Sequence, residues 1–227
     1  MYCAIIGDIV NSRKLENRAE VQLKLKQLLD QINIKYSEDI AAKFIITIGD
    51  EFQGLLKTPK RIFNLLDSIK MEIFPITIRF GIGLGDMNTR IYEDMAIGSD
   101  GPAYYAAREA IDEIKKSNYR YEQPTRDILI RYSQNNINFK RRLELMNSTL
   151  STCYFIERRW SEKQREIIKV LTIEDKEMNQ KELGNLFDLS QSSIQRRINS
   201  SGFYTYKYAK NNVASALNDI WEELHDK

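Results

Sequence analysis

The sequence predicts an α+β fold: a mixed β-sheet with helices packed on it, followed by a small all-helical domain. Apolar strand patterns and helical patterns alternate in the order β-α-β-β-α-β-α over residues 1–123, whereas short helical patterns follow Trp160. With 227 residues and 42% hydrophobic content, the chain is long enough to bury a core. We expect a sheet domain over residues 1–137, a helical connector over 138–158 and an all-helical domain over 159–227.

The elements of the sheet domain follow from apolar spacing. "YCAIIGDIV" predicts a buried strand that ends at Asp8, and a helical pattern comes after it. "AKFIITI" and "EFQGLL", joined by Gly49 and Asp50, predict a β-hairpin. A second helical pattern, the strand "ITIRFGIGLG" and a third helical pattern complete the order, and "ILIRY" predicts one more strand. The helical residues that we expect to face inward are Val21, Leu25, Leu28, Leu29, Ile32, Ile62, Leu65, Leu66, Ile69, Ile73, Ala103, Ala107, Ala110, Ile111 and Ile114.

The C-terminal segment has the spacing of a helix-turn-helix. Three helical patterns, "SEKQREIIKVL", "NQKELGNLF" and "SQSSIQRRINS", are separated by short stretches, and Asn179 and Ser190 are suitable N-caps. The stretch "GFYTYKYAKNN" could form a wing or strand, in which Tyr204, Tyr206 and Tyr208 share one face. The apolar residues that we expect inside the motif are Leu183, Leu186, Phe187, Leu189, Ile194 and Ile198.

The second helix of this motif directs polar side chains away from the predicted core. Such side chains can read base edges in the major groove of DNA. Residues 189–212 contain no acidic side chain, and the DNA phosphates would lie there. A helical dimerisation or lid module is the alternative, because three-helix packings are common and the segment has no net charge. The predicted DNA-binding residues are Gln191, Ser192, Gln195, Arg196 and Asn199.

Composition excludes several classes of protein and site. No apolar stretch approaches the roughly 18 residues of a membrane span, and the start of the chain lacks a signal-peptide pattern. We therefore expect a cytoplasmic protein without membrane association. Cys3 and Cys153 lie far apart in the sequence and are expected to be free thiols. The single histidine, His225, excludes Ser-His triads and His-rich zinc sites, so any catalysis would use carboxylates, metal ions and cations.

Two carboxylates fall at the ends of predicted strands. Asp8 ends the first strand, and Asp50 forms the tip of the hairpin. Neighbouring strands would bring both within reach of one hard cation such as Mg²⁺, which would remove their mutual repulsion. In the alternative, Gly49 and Asp50 are ordinary turn residues and Asp8 caps a helix that begins near Ser12. We expect Glu51 to point to the opposite face from Asp50 and not to bind the cation.

Four stretches resemble the class III nucleotide cyclases and occur in the family's order. "AIIGDIVNSR" is similar to their first metal-binding strand, and "TIGDEFQG" is similar to their Thr-Ile-Gly-Asp hairpin. "IRFGIGLG" resembles their Arg-x-Gly-Ile-x-x-Gly strand, and "SDGPAYYAAREA" resembles their Gly-Asp-x-x-Asn-x-x-x-Arg helix. "GDEF" also resembles the GG(D/E)EF signature of diguanylate cyclases. The resemblance covers residues 3–116 and implies a ferredoxin-like, palm-type nucleotide-cyclase fold.

The cyclase resemblance implies roles for individual residues of this chain. Asp8 and Asp50 would bind Mg²⁺ (or Mn²⁺), and Arg108 would stabilise phosphate charge in the transition state. Tyr104 stands where the cyclases have a transition-state asparagine, and Asp100 could contact the base or the ribose. The residues implied to hold the triphosphate of a purine nucleotide, at the start of the following helix, are Ile9, Asn11, Ser12 and Arg13.

Departures from the cyclase pattern leave base choice and turnover open. Ile46 lies near the place of the adenine-selecting lysine, and Ile48 replaces the first glycine of the diguanylate cyclase signature. Arg79 could reach phosphate, although a solvated strand residue is the interpretation that we favour. The sequence therefore predicts either a protein that binds or senses a nucleotide or an enzyme that converts it.

The combination of "AIIGDIVNSR", "GDEFQGLL", "AIGSDGPAYYAAREAI" and "WSEKQREII" before a helix-turn-helix resembles the SatD family over nearly the whole chain. This resemblance implies an architecture and no known activity. We predict a nucleotide-responsive DNA-binding regulator that acts as a homodimer on paired half-sites. The alternatives are an active metal-dependent nucleotidyl cyclase or nucleotidyltransferase, and an inactive scaffold that has lost the metal.

Overall fold

A five-stranded sheet and eight α-helices make up the described part of the chain. The computed structural model describes residues 1–47, 49–94, 96, 98–120, 124–134, 136–173 and 178–225, except the side chain of Asn118. The strands are β1 (Tyr2–Ile9), β2 (Ile40–Ile46), β3 (Glu51–Leu56), β4 (Ile78–Gly85) and β5 (Ile128–Tyr132). The helices are α1 (Arg18–Lys35), α2 (Ile62–Ile73), α3 (Pro102–Arg120), α4 (Ile137–Glu157), α5 (Glu162–Ile173), α6 (Gln180–Phe187), α7 (Gln191–Ser201) and α8 (Phe203–His225), and a short 3₁₀ helix covers Ser12–Lys14.

The strand order of the sheet is β2-β3-β1-β4-β5. β1 lies in the middle and pairs antiparallel with both β3 and β4, while β2 pairs antiparallel with β3. With α1 and α2 between them, these four strands have the ferredoxin-like β-α-β-β-α-β topology. β5, the predicted "ILIRY" strand, adds to the edge in parallel with β4. The sheet is therefore mixed, which confirms the predicted α+β fold class.

The two faces of the sheet are covered by different helices. Alternate residues of β1, such as Cys3 and Ile5, pack in one large core with α1, α2 and α4. Their neighbours Ala4 and Ile6 pack in a second core against α3. The predicted inward positions of α2 and α3 are buried, and in α1 only Val21 is half-buried. The helical spacing of apolar residues thus predicted the inward faces of these three helices correctly.

Glycines in β4 let α3 lie directly on the sheet. A Cβ atom added to Gly83 would come within 2.0 Å of the Ala103 carbonyl oxygen, and one added to Gly81 within 2.1 Å of the Ala107 carbonyl oxygen. Because these contacts are with helix backbone, a side chain at either position would push the helix away. This close approach sets the position of α3 over the end of β1.

Helix α8 corrects the prediction for the aromatic stretch. "GFYTYKYAKNN" belongs to a continuous helix, so the predicted wing or strand is wrong. Tyr206 is buried, whereas Tyr204 and Tyr208 are exposed, as a helical period of 3.6 residues requires. The buried residues of this helix are Phe203, Tyr206, Lys210, Val213, Leu217 and Ile220.

Helices α6 and α7 and the three residues between them cover the segment predicted to form a helix-turn-helix. Asn179 caps α6 in a capping box with Glu182, and the Ser190 side chain accepts a hydrogen bond from the Ser193 backbone N–H at the start of α7. Asp188 adopts the left-handed conformation, with φ of 50°, in the turn between the helices. Leu186 is 57% exposed, so the expectation that it faces inward is wrong. The buried or half-buried residues that join α5, α6 and α7 are Ile167, Ile168, Leu183, Phe187, Leu189, Ile194 and Ile198.

Cys3 and Cys153 are buried free thiols, which confirms the expectation from the sequence. Within the described residues, none of the helices has both the length and the hydropathy of a membrane span.

Candidate functional site

Asp8 lies at the end of β1 and is held by two cations from other elements. In the register of the sheet it stands opposite Glu51 of β3 and Arg79 of β4. Its Oδ2 atom is 2.5 Å from Arg79 Nη2, and its Oδ1 atom is 3.0 Å from Lys115 Nζ of α3. The contact with Arg79 is one of charge, because Asp8 Oδ2 and Arg79 Nε have no hydrogen-bond partner among the described residues. The protein itself thus supplies the positive charge that this buried carboxylate requires.

The alternative role of Asp8 as a helix cap is wrong. Asn11 occupies the N-cap position of the 3₁₀ helix, with φ of 56°, and no side chain caps that helix. Arg79 is also not the solvated strand residue that we favoured, since its side chain is only 16% exposed.

Glu51 and Arg108 form a second ion pair beside the first. Arg108 Nη2 donates to Glu51 Oε1 at 2.5 Å, and Nη1 donates to Oε2, so the contact is bidentate. The hydrogen bonds from Arg108 to Glu51 raise the pKa of Arg108, although its partial burial works against them, and the charge of Asp8 adds to the increase. Glu51 was not predicted as a site residue, yet it is the cross-strand neighbour of Asp8.

Asp50 contacts the residues predicted to hold phosphate. The hydroxyl of Ser12 donates a hydrogen bond to the Asp50 carboxylate, and the backbone N–H of Ile9 donates to the Asp50 carbonyl oxygen at 3.2 Å. Ser12 is buried, Asn11 is half-buried and Arg13 is exposed. The tip of the hairpin is therefore fixed against the loop after β1. Ile48, the departure noted in this hairpin, lies outside the described residues.

Tyr104 and Asp100 lie at the start of α3. Tyr104 is buried in the core under this helix, its hydroxyl has no partner among the described residues, and burial raises its pKa. Asp100 is exposed and accepts a hydrogen bond from the Tyr105 hydroxyl at 2.5 Å. Tyr104 is about 16 Å along the helix axis from Lys115, at about 1.5 Å per residue. Tyr104, and Asp100 just before the helix, are therefore distant from Lys115, the residue of α3 that contacts Asp8.

A metal ion at Asp8 would have to displace Arg79 and Lys115. Mg²⁺ binds several oxygen ligands, but both Asp8 oxygens already face protein cations. Across the described ranges, no group of three or more His, Cys, Asp and Glu side chains could hold a metal ion. The sequence contained one signal of this outcome, because Arg79 becomes the neighbour of Asp8 once β1 and β4 are paired.

The predicted DNA-binding residues share the outer face of α7. Ile194 and Ile198 are buried against α5 and α6. All five predicted side chains are exposed: Gln191, Ser192, Gln195, Arg196 and Asn199. The helix-turn-helix therefore presents the polar surface that the sequence predicted.

Comparison with protein families gives a match to the SatD family over residues 2–217. Curated proteins give no match. The chain is similar to the monomeric guanylyl cyclase domain of the RhoGC fusion protein from the aquatic fungus Blastocladiella emersonii, with 19% identity, a TM-score of 0.37 and coverage of 48% of this chain and 72% of that chain. It is also similar to the guanylate cyclase domain of RhGC from Catenaria anguillulae in complex with GTP, with 18% identity, a TM-score of 0.34 and coverage of 48% of this chain and 70% of that chain. A third similar structure is the catalytic core of a rhodopsin-guanylyl cyclase with converted specificity in complex with ATPαS. The identity is 20%, the TM-score is 0.37, and the match covers 48% of this chain and 69% of that chain.

Proposed function

The chain belongs to the SatD family, and from this premise we propose that it is a nucleotide-responsive DNA-binding regulator. In this proposal the sheet domain binds a purine nucleoside triphosphate, and the helix-turn-helix binds DNA as part of a homodimer. The observation that carries the proposal is the exposed polar face of α7, which follows a capped three-residue turn.

The order of side chains on α7 suits recognition of DNA. In a helix-turn-helix, residues near the N-terminus of the second helix contact base edges in the major groove. Gln191 and Ser192 begin this helix, and Gln195 and Arg196 follow one turn later. Glutamine pairs with adenine and arginine with guanine through two hydrogen bonds each. The lack of acidic residues between 189 and 212 favours an approach of the phosphate backbone.

The cations around Asp8 support the nucleotide part of the proposal. Arg79, Lys115 and Arg108 converge on one end of the sheet, where they are matched by Asp8 and Glu51. A triphosphate placed beside the loop after β1 would compete with the two carboxylates for these three cations. Binding of Mg²⁺ or Mn²⁺ by Asp8 and Asp50 stays a prediction from the cyclase resemblance.

Binding is better supported than turnover. Arg108, the predicted transition-state residue, is already engaged in two hydrogen bonds to Glu51. The Tyr104 hydroxyl is enclosed in an apolar core. Both groups would have to rearrange before they could touch a reacting nucleotide.

Selection from a random DNA library, with and without GTP or ATP, tests the DNA part. We expect enrichment of sites with two symmetric half-sites, and a dependence of the affinity on nucleotide. Arg196→Ala should weaken specific binding by about tenfold or more, since a bidentate contact contributes about 1–3 kcal/mol. Arg159→Ala, which removes an exposed arginine away from α7, is the matched control. A library that shows no enrichment under either condition would refute the proposal.

Calorimetry tests the nucleotide part. GTP and ATP are titrated into wild-type protein and into Asp50→Ala, with EDTA, Mg²⁺ or Mn²⁺ present. We expect saturable binding to the wild type and intact nucleotide on recovery. The metal prediction would be supported if nucleotide binding to the wild type required the divalent ion and nucleotide binding to Asp50→Ala did not respond to it. A new nucleotide product would instead favour the enzyme alternative.

A further inference from the structure

A cavity of about 360 Å³ lies where the edge of the sheet meets the corner between α4 and α5. It is bounded by the loop after β1, the end of α2, the start of β4 and residues 124–127. Two acidic side chains, Asp127 and Glu157, line it. The cationic side chains in its wall are Lys70, Arg79, Arg126, Arg158 and Arg165.

The two acidic side chains in the wall share one lysine. Lys70 Nζ is 2.5 Å from Asp127 Oδ2 and also contacts the Glu157 carboxylate. The Tyr206 hydroxyl adds a hydrogen bond to Glu157 Oε2 at 3.3 Å. Lys70 offsets one of the two negative charges, and the four arginines outnumber the one that is left, so the wall has a net positive charge.

The arginines are incompletely matched. Arg158 donates to the Pro124 carbonyl oxygen at 2.7 Å, but it forms no ion pair with any residue in the described ranges. Arg126 Nη1 is 3.6 Å from Glu113, and Arg165 Nη1 is 3.9 Å from Glu157 Oε1, so both pairs are long. In addition, the Nε atoms of Arg79 and Arg126 are buried and have no hydrogen-bond partner in the described part of the chain. A buried donor without an acceptor is unfavourable, and a bound anion would remove that cost.

We propose that this cavity is a binding site for a phosphate-bearing anion, held by Arg79, Arg126, Arg158 and Arg165. The planar guanidinium group matches the oxygen spacing of phosphate, and several such groups around one volume are typical of phosphate recognition. A volume of about 360 Å³ is within the range of small-molecule sites and accommodates a phosphate chain. The site shares Arg79 and Asn11 with the proposed nucleotide site, but Arg126, Arg158 and Arg165 lie outside that site, and so the inference goes beyond the proposed function.

The walls of the cavity give such a ligand a structural effect. Arg79 belongs to the sheet, Arg158 follows α4, and Arg165 belongs to α5, which packs with the helix-turn-helix. One anion bound by all three joins β4 to α5, the helix that packs against the helix-turn-helix. Binding should therefore restrain this helix relative to the sheet.

Metal-free calorimetry tests the site with inorganic phosphate, tripolyphosphate and GTP as probes, each in EDTA. We expect wild-type protein to bind tripolyphosphate. Arg158→Gln should weaken this binding by about tenfold or more, because a charge-assisted contact to phosphate is lost. Arg159→Gln is the matched control, since Arg159 is the adjacent exposed arginine and instead stacks on Phe155. Arg126→Gln is a second test variant, and thermal unfolding confirms that each variant is folded.

The outcomes separate the ligand sources and the two sites. Similar affinities for tripolyphosphate and GTP would identify the phosphate chain as the recognised group, and binding of GTP alone would identify a nucleotide. Absence of binding by all three probes overturns the proposal, as does equal weakening by Arg158→Gln and Arg159→Gln. Weakening of metal-free tripolyphosphate binding by Asp50→Ala but not by Arg158→Gln would assign the anion to the cyclase-like site and refute the cavity site.

Discussion

Lys70 offers a sharp test of the buried charges between the sheet and the C-terminal helices. Its side chain is 9% exposed and lies between Asp127 and Glu157, whose side chains are 4% and 8% exposed. Burial alone would lower the pKa of Lys70, but the charges of the two carboxylates raise it above its ordinary value. The charged lysine is thus favoured only because of these partners.

Lys70→Met keeps most of the side-chain volume and removes the charge. Two carboxylates are then left with less positive charge in a buried environment. Removal of one partner from a buried ion pair costs about 3–5 kcal/mol. We expect the free energy of unfolding of Lys70→Met to fall by at least about 3 kcal/mol at neutral pH.

The pH dependence of this loss has a definite sign. Burial would raise the pKa of Glu157, but the charges of Lys70 and Lys210 lower it below its ordinary value. Ionised Glu157 therefore stabilises the wild type at pH values above the ordinary pKa of a glutamate, and this stabilisation is lost as the pH falls through the lowered pKa. Burial raises the pKa of Asp127 even in the wild type. Without Lys70 both carboxylates have raised pKa values. The deficit of the variant should therefore shrink as the pH falls from about 8 to about 5.

Urea unfolding, followed by circular dichroism, measures the effect. Lys169→Met is the matched control, because Lys169 Nζ is 2.8 Å from Glu72 Oε2 but the two side chains are 42% and 35% exposed. We expect that control to cost less than about 1 kcal/mol. Equal losses in the two variants, or a deficit for Lys70→Met that grows in acid, would refute the reasoning.

Three further predictions concern packing, thiols and capping. Gly83→Ala should destabilise the protein in urea by about 1–3 kcal/mol, because its Cβ would be 2.0 Å from the Ala103 carbonyl oxygen; an unchanged midpoint would contradict this contact. Cys3 and Cys153 should react with a thiol reagent only after unfolding, since burial raises their pKa values to about 12 and about 11. Rapid labelling of the native protein would show that these thiols are not buried. Asn179→Ala should lower the free energy of unfolding by about 1 kcal/mol through loss of the α6 cap, and a variant as stable as the wild type would show the cap to be dispensable.

Local sequence patterns predicted most elements of the fold. Apolar runs and a Gly-Asp turn placed the strands, and helical spacing placed the buried faces of α2 and α3. The prediction for the start of α8 failed because its tyrosines alternate along the sequence, which is the period of a strand. Lys210 added to the error, since a buried lysine paired with Asp67 interrupts the apolar pattern of the helix.

The partners of the candidate site depend on contacts between distant parts of the chain. Asp8 was identified from the sequence, but its ion pair with Arg79 requires the register between β1 and β4. Lys115 reaches the same carboxylate only because glycines in β4 allow α3 to lie close to the sheet. Neither condition is visible in a linear motif, so the contacts of Arg79 and Lys115 with Asp8 could not be predicted from the sequence, and the metal ion at Asp8 and Asp50 stays a prediction.

Helix α8 has a consequence for synthesis on the ribosome. Phe203 and Tyr206 complete the core of the helix-turn-helix, whereas Val213, Leu217 and Ile220 complete the core beneath the sheet. This helix follows every other described element, so both apolar surfaces stay uncovered while the chain is being translated. The nascent protein therefore cannot complete either core, and it presents apolar surface to chaperones, until α8 has emerged.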